Sequence, residues 1–517
     1  DMALRVYTTR LLGRNSELVL HGGGNTSVKT KIKDIDGKNY EVLCVKGSGW
    51  DMAEIEPEGL PAVKLQPLLA LRNKKNLSDE DMVAYQKRNL INIKSPNPSV
   101  ETFLHAFLPF KFVDHTHSDA IMNVTNRSNG LEFCKKIFGN KVSIVPYVMP
   151  GFDLAKKVNK IFQKNSNIEG LLLLNHGIFT FGDTAEESYN RMIKYVTIAE
   201  NYLKKIKDKK HKSKNFKAKK NSQNISFLLR KLIYNELNEK WIIRFYRSNE
   251  IINLISQKVF LNNFNKGPVT PDHVIRIKPF FLILNSINSN YIKREIKKFS
   301  NKYSNYFLKH KHLINNCIKT DTIPRIVILP SVGIYILGKN SKDTKVALDI
   351  FLSYVKSLND ALKLGKFKSI SQKEIFKMEY WPLERAKISQ KKRLYFEGNV
   401  VVISGGCGTI GLATARKFME EGSQVALLDN NIKNIQKIPE DIKKQALVLK
   451  CDVTNIIEIK DSIKKVVNLF GGVDIVISNA GKAFQGNIAE VDPSIIKKSY
   501  EINFFSHQLL SQEAVKI

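Results

Sequence analysis

Long apolar runs are missing from this 517-residue chain: no stretch of about 18 consecutive apolar residues occurs, and the opening residues carry no signal-peptide pattern. A membrane span is therefore not expected, and a cytoplasmic setting is. Cysteine is scarce. Cys44, Cys134, Cys317, Cys407 and Cys451 are scattered without a C-x-x-C pair, which suits a reducing cytoplasm better than a disulfide framework. Acidic residues are also short, 49 Asp and Glu against 82 Lys and Arg, for a net charge of +33. Such a balance on its face suggests nucleic acid or anionic membrane. The charge is mostly lysine, however, spread along the chain among many Asn and Ile as a codon bias would leave it. Its densest run, Lys204 to Lys220, is not interleaved with aromatics as a base-stacking platform is. No nucleic-acid or membrane partner is expected, although the field would still attract phosphorylated substrates. With 43% hydrophobic residues the chain can build real cores, and its length suggests roughly two to four domains.

The expected organisation is an α/β domain over residues 1–205, a basic linker over 206–225, a middle α/β region over 226–395 and a third domain over 396–517. The middle region contains an echo of the first. Leu171-Leu172-Leu173-Leu174-Asn175-His176-Gly177-Ile178-Phe179-Thr180-Phe181-Gly182 is matched by Val327-Ile328-Leu329-Pro330-Ser331-Val332-Gly333-Ile334-Tyr335-Ile336-Leu337-Gly338. Both precede a polar turn and a long amphipathic helix, and Val332 stands at the histidine position, so the second copy reads as a degenerate repeat.

Chemistry concentrates in Phe112-Val113-Asp114-His115-Thr116-His117-Ser118. On a strand, residues two apart share a face, so His115 and His117 converge and can offer two neutral nitrogens to one divalent metal. Alone, His-x-His equally describes packed or surface histidines. His176, at the end of an apolar strand and before a glycine turn, is a third candidate. Three histidines with an open fourth position describe a catalytic zinc site. Glu101 opens the helix that runs to Phe107, and a carboxylate beside a Lewis-acid metal can move a proton on carbon next to a carbonyl. His105, one turn later, reads as a packed or hydrogen-bonding histidine. The loops His21-Gly22-Gly23-Gly24-Asn25-Thr26-Ser27 and Lys46-Gly47-Ser48-Gly49-Trp50 each resemble an ordinary tight turn. Together with Ser99 they look like a phosphate pocket, because glycines let the backbone approach an anion.

Gly24-Asn25-Thr26-Ser27, Ser48-Gly49, Ser99-Val100-Glu101, His115-Thr116-His117 and Asn175-His176-Gly177, in this order, resemble the class II aldolase/adducin family over roughly residues 5–205. The resemblance implies zinc on His115, His117 and His176, Glu101 as acid/base, and phosphate held by Asn25, Thr26, Ser27, Ser48, Gly49 and Ser99. It implies retro-aldol cleavage of a ketose 1-phosphate to dihydroxyacetone phosphate and an aldehyde, in an enzyme that forms homo-oligomers. Val100 departs from relatives that often have a second serine there. The competing reading is an adducin-like binding module; such modules lack the histidines, so the intact set argues for an enzyme.

A fresh strand, Val400 to Ile403, leads into Ser404-Gly405-Gly406-Cys407-Gly408-Thr409-Ile410-Gly411, a helix, and a second strand ending at Asp429. Glycines admit a pyrophosphate to a helix N-terminus, and the aspartate can bind ribose hydroxyls and repel an extra phosphate, which favours NAD over NADP. With Cys451-Asp452-Val453, Asn479-Ala480-Gly481 and Asn503, this stretch resembles the short-chain dehydrogenase/reductase family from about residue 396 onward. The resemblance implies a doubly wound parallel Rossmann sheet with NAD on Gly405, Gly406, Gly408, Ile410, Gly411, Asp429, Asp452, Val453, Asn479, Ala480 and Gly481. It also makes Asn503 the catalytic asparagine. Thr409 departs from the family's usual glycine. The family's Ser and Tyr-x-x-x-Lys would fall beyond Ile517, so the chain is expected to be a fragment with an incomplete third domain. The two halves together resemble the bifunctional rhamnulose-1-phosphate aldolase/short-chain dehydrogenase proteins. Cleavage would then yield an aldehyde such as lactaldehyde for the dehydrogenase to oxidise. Thr270-Pro271-Asp272-His273-Val274 and Glu379-Tyr380-Trp381-Pro382-Leu383-Glu384 sit where those relatives have similar segments, and His273 has two readings, a structural residue or one that reaches the active site.

Overall fold

Short β-branched and aromatic runs between glycine and polar turns become strands in three sheets. A computed structural model of the chain describes residues 1–33, 37–205, 225–387 and 394–517. The expected basic linker lies, apart from Ile225, outside the described residues. The first sheet has seven strands: β1 (Asn25–Lys33), β2 (Asn39–Val45), β3 (Ala62–Lys64), β4 (Phe112–Thr116), β5 (Val142–Val145), β6 (Gly170–Leu173) and β7 (Gly177–Gly182). Their order is β3-β2-β1-β4-β7-β6-β5, and every neighbouring pair is antiparallel except β5 with β6. Alternation along the strands feeds two cores. Leu171, Leu173, Phe179 and Phe181 join one with the helices Thr102–Phe107 and Phe152–Lys164. Leu172 and Ile178 join the other with Asp119–Thr125 and Ala185–Lys205. The sheet is thus covered on both faces.

The second sheet contains β8 (Ile242–Tyr246), β9 (Leu282–Ile283), β10 (Ile326–Leu329) and β11 (Gly333–Gly338), ordered β8-β11-β10-β9. Here the sequence echo becomes geometry. Both β6–β7 and β10–β11 are antiparallel hairpins whose turn contains a residue in the left-handed region, Asn175 (φ 59°) and Ser331 (φ 64°). Two residues beyond each closing glycine stands a helix cap. Thr184 accepts from the Glu187 amide and Asn340 from the Asp343 amide, satisfying donors that the first turn leaves free. Val332 is buried at the position that His176 occupies in the first copy. The long helix Ser341–Leu364 then packs on Asp119–Thr125, where Ser353 donates to Asp119 at 2.9 Å. Asn126 adds a bond to the Val269 carbonyl at 2.7 Å. This docking brings the turn Pro271–His273 and the stretch from Gln372 to Lys387 against the rim of the first sheet.

The third sheet is parallel throughout, with β12 (Val400–Ser404), β13 (Gln424–Asp429), β14 (Leu447–Lys450) and β15 (Ile475–Ser478) ordered β14-β13-β12-β15. Its central strands are apolar on both faces: Val400 and Val402 enter one core, Val401 and Ile403 the other. The order reverses beside β12, which is where α/β sheets of this kind bind ligands. The third sheet is tied to the middle region through Asp474. Its carboxylate takes Arg230 at 2.6 Å and the Val400 amide at 2.8 Å. All five cysteines are unpaired. Among the described residues no helix is long and apolar enough to cross a membrane.

Candidate active site

His115 lies on β4, His117 just past its end, and His176 in the turn between β6 and β7. Pairing of β4 with β7 brings the three together, with ligating atoms all within 4.8 Å of one another. The glycine after His176 is obligatory. A Cβ on Gly177 would lie 2.4 Å from the Thr116 carbonyl and about 3.0 Å from the His115 ring. His115 is fully buried, and its Nδ1 donates to the Ile178 carbonyl at 3.0 Å, which leaves the Nε2 lone pair facing inward. His117 Nδ1 faces Asp272 Oδ1 at 3.3 Å, and its Nε2 stands 3.1 Å from His115 Nε2. At that distance the two Nε2 atoms either share a proton or face one cation between them. Burial holds His115 well below the usual histidine range and takes His176 down to about 3, so both are neutral, as a metal ligand must be. Burial opposes charge on His117 too, but the Asp272 carboxylate outweighs it and raises the imidazole. These donors fit a divalent metal.

Glu101 caps the helix Thr102–Phe107, 4% exposed. Its Oε2 lies 3.5 Å from His115 Nε2 and accepts from Asn25 Nδ2 at 2.7 Å. Its Oε1 lies 3.6 Å from His176 Nε2 and has no hydrogen-bond partner. One file of bonds holds this carboxylate. Ser27 Oγ donates to His105 Nδ1 (2.8 Å), His105 Nε2 to Asn25 Oδ1 (2.5 Å), and Asn25 Nδ2 to Glu101. Burial keeps His105 well below the usual histidine range, consistent with a neutral ring that donates at one nitrogen and accepts at the other.

The pocket beside the histidines is lined by Gly22, Gly23, Gly24, Asn25, Gly47, Ser48, Gly49 and Ser99, so both glycine loops meet there. Thr26 and Ser27 do not line it, which corrects the expectation for those two. Alternation turns Thr26 to the opposite face, where it bonds Thr9 at 2.7 Å, and Ser27 sits behind Asn25 as the support of His105. Val100, at the position where the resemblance puts a second serine in many relatives, stands in the lining.

Lys46, Asp272 and Glu384 also line the pocket from segments that the sequence singles out without giving those residues a role, and Lys387 from a stretch that carries no motif. Asp272 comes from the turn Pro271–His273, in which His273 is buried outside the pocket and the aspartate lines it. Lys387 pairs with Glu384 at 2.5 Å and stays charged, because Glu384 and Asp272 outweigh its burial. Burial takes Lys46 down to about 7; its Nζ donates to the Trp50 carbonyl at 2.7 Å. Asp272→Asn is expected to weaken metal binding about 10- to 100-fold by removing the charge that orients and enriches His117. Zinc competition against a chromophoric chelator measures this, and unchanged affinity would contradict the role of Asp272.

In the third domain, Gly405 (φ 58°), Gly406 and Gly411 are packed too closely for side chains. A Cβ would approach Ala480 Cα to 2.9 Å, the Ile403 carbonyl to 2.8 Å and the Gly405 carbonyl to 2.5 Å respectively. At Gly408 only the Gly405 carbonyl comes within reach, at 3.4 Å, and Ile410 is 72% exposed, so the helix N-terminus at Thr409 is open to a pyrophosphate. Asp429 is buried at the end of β13 and accepts from the Cys407 and Asn431 amides at 3.1 and 2.9 Å. Asn479 braces β12 by donating to the Ser404 and Gly405 carbonyls, while the Ala480 amide donates to Ser404 Oγ. Gly481 adjoins Asn503 Oδ1. Asp452 accepts from Thr454, and Val453 enters the core. Asn503 lies in a wide helical turn, Glu501–Phe505, and exchanges two hydrogen bonds of 2.9 Å with the backbone of Lys482.

Fold and site together define class II aldolase domains joined to a short-chain dehydrogenase domain. Residues 4–203 match the class II aldolase and adducin N-terminal domain, 220–388 the second domain of class II aldolases, and 399–517 the short chain dehydrogenases. Over 536 aligned residues the chain is 31% identical to the uncharacterized oxidoreductase YuxG of Bacillus subtilis (strain 168), covering 99% of this chain and 77% of that protein. The chain belongs to the family of that oxidoreductase. Short-chain dehydrogenase reductase 3c of Arabidopsis thaliana is 38% identical over 89 residues, 17% of this chain and 34% of that protein. Among solved structures, the N-terminal class II aldolase domain of a Thermoplasma acidophilum protein is 45% identical, covering 39% of this chain and 93% of that one, with a TM-score of 0.37. A short-chain type dehydrogenase/reductase from Mycobacterium marinum is 24% identical, covering 23% and 50%, with a TM-score of 0.23. The chain thus spans half or less of these two dehydrogenases.

Proposed function

We propose that the chain is a zinc-dependent aldolase that cleaves a deoxyketose 1-phosphate of the rhamnulose 1-phosphate type to dihydroxyacetone phosphate and lactaldehyde. We further propose that its third domain takes part in NAD-dependent oxidation of that aldehyde. The observation that carries the first part is the convergence of His115, His117 and His176 on Glu101, whose two oxygens lie 3.5 and 3.6 Å from ring nitrogens. His115, His117 and His176 would hold zinc, which would supply a Lewis acid to polarise the ketose carbonyl.

The protein's own groups do the rest. Breaking C3–C4 removes the proton of the C4 hydroxyl and leaves an electron pair that must be protonated at C3. Glu101 Oε1, buried and without a partner, is free to hold that proton, and Asn25 keeps the carboxylate aimed. The glycine loops and Ser99 offer backbone and hydroxyl donors for the phosphate, and Lys387 adds positive charge to the same pocket. The walls contributed by the middle region limit access of water. DHAP release from rhamnulose 1-phosphate, compared with ketose 1-phosphates of other configuration at C4, tests the substrate. A clear preference for another configuration would replace the sugar and leave the reaction standing.

Support for NAD is the open helix N-terminus with Asp429 at the end of β13. Asp429→Asn is expected to shift the ratio of NADPH to NADH dissociation constants about tenfold toward NADPH, or about 1.4 kcal/mol. Titration of cofactor fluorescence measures it without turnover, and an unchanged ratio would remove Asp429 from cofactor choice.

A further inference from the structure

The two segments that reach the first site, Pro271–Lys278 and Met378–Lys387, also line a second cavity of about 290 Å³ within the middle region. That size is near the lower end of small-molecule pockets, roughly 300–1,000 Å³. Its walls are cationic. Arg276, Lys278, Arg325, Lys339 and Arg385 face Asp321, Asp343 and Glu379. Lysine carries most of the positive charge in this chain, yet three of its 16 arginines gather here.

Three of the five cations are committed. Arg325 grips Asp321 through two bonds of 2.8 and 2.6 Å. Lys339 pairs with Glu239 at 2.5 Å and lies over the Trp241 ring. Lys278, 4% exposed, stands 3.6 Å from Asp321. Arg276 and Arg385 are different. Both are half-buried at the cavity, and among the described residues neither makes an ion pair or a side-chain hydrogen bond. The Tyr303 hydroxyl donates to Glu379 Oε1 at 2.6 Å, while the buried Oε2 makes no full hydrogen bond and has the Tyr306 hydroxyl beside it. Two free guanidinium forks suit a phosphate, which each can bind with two parallel hydrogen bonds. An unmatched carboxyl oxygen suits a hydroxyl.

We propose that this cavity binds a small hydroxylated phosphate monoester, with Arg276 and Arg385 on the phosphate and Glu379 on a hydroxyl. The site does not depend on the aldol reading. The probe is glycerol 3-phosphate, titrated calorimetrically into the metal-loaded full chain, into Arg276→Gln/Arg385→Gln, and into His117→Ala. The expected result is a binding event that survives His117→Ala and weakens at least tenfold in the double arginine variant, which keeps its zinc. If the double variant does not fold, Arg276→Lys is used instead and is expected to weaken the same event, because lysine cannot bind bidentately. Absence of binding, binding unchanged in the arginine variants, or binding lost only in His117→Ala would overturn the proposal.

Discussion

Glu101→Gln is expected to lower kcat for aldol cleavage about 10²- to 10⁴-fold, the range for losing a positioned acid/base, with zinc content unchanged. Glutamine fills the same volume, and its amide oxygen can still accept from Asn25 Nδ2, so the file Ser27–His105–Asn25 stays intact. What disappears is a carboxyl able to carry a proton at Oε1. KM for the phosphorylated substrate should change little, because the glycine loops and Lys387 are untouched. Steady-state DHAP release together with zinc analysis of the same sample separates the effects. Full activity in Glu101→Gln would remove the carboxylate from the chemistry. Lost activity with lost zinc would show that its role is to shape the metal site.

His117→Ala is expected to cost both metal and cleavage. The substitution removes one of three nitrogens and leaves Asp272 facing an empty position from 3.3 Å away. The loss of zinc affinity should exceed the 10- to 100-fold expected for Asp272→Asn, which alters only the group behind the ligand. Cleavage should fall to the chelator-treated level. A His117→Ala protein that keeps one zinc per chain would mean that the ion binds elsewhere.

The clustering of the histidines could be read from sequence because strand alternation acts at short range. His115 and His117 share a face whatever lies beyond them, and the run from Leu171 to Gly177 marks a strand end followed by a turn that only glycine fits. The echo between the two hairpins was legible for the same reason, as Asn175 and Ser331 take the same left-handed turn. Alternation also explains the overreach at Thr26 and Ser27. Asn25, Thr26 and Ser27 are consecutive on β1, and only every second side chain of a strand can face one pocket. Asp272 and Lys387 could not be read this way. They reach the histidines through docking of the middle region, a long-range contact with no local pattern. In the segment Thr270–Val274 it is Asp272, and not His273, that lines the pocket. The parallel third sheet, buried on both faces, was visible as apolar runs with a glycine turn between strand and helix.

The central claim is a metal-dependent carbon–carbon bond cleavage at the three histidines. The measurement that tests it most directly is DHAP release from rhamnulose 1-phosphate by one preparation assayed zinc-loaded, stripped by chelator and reloaded. The account predicts release that disappears on stripping, returns with about one zinc per chain, and never appears in His117→Ala. Release that persists in the stripped protein, or in His117→Ala, would contradict it.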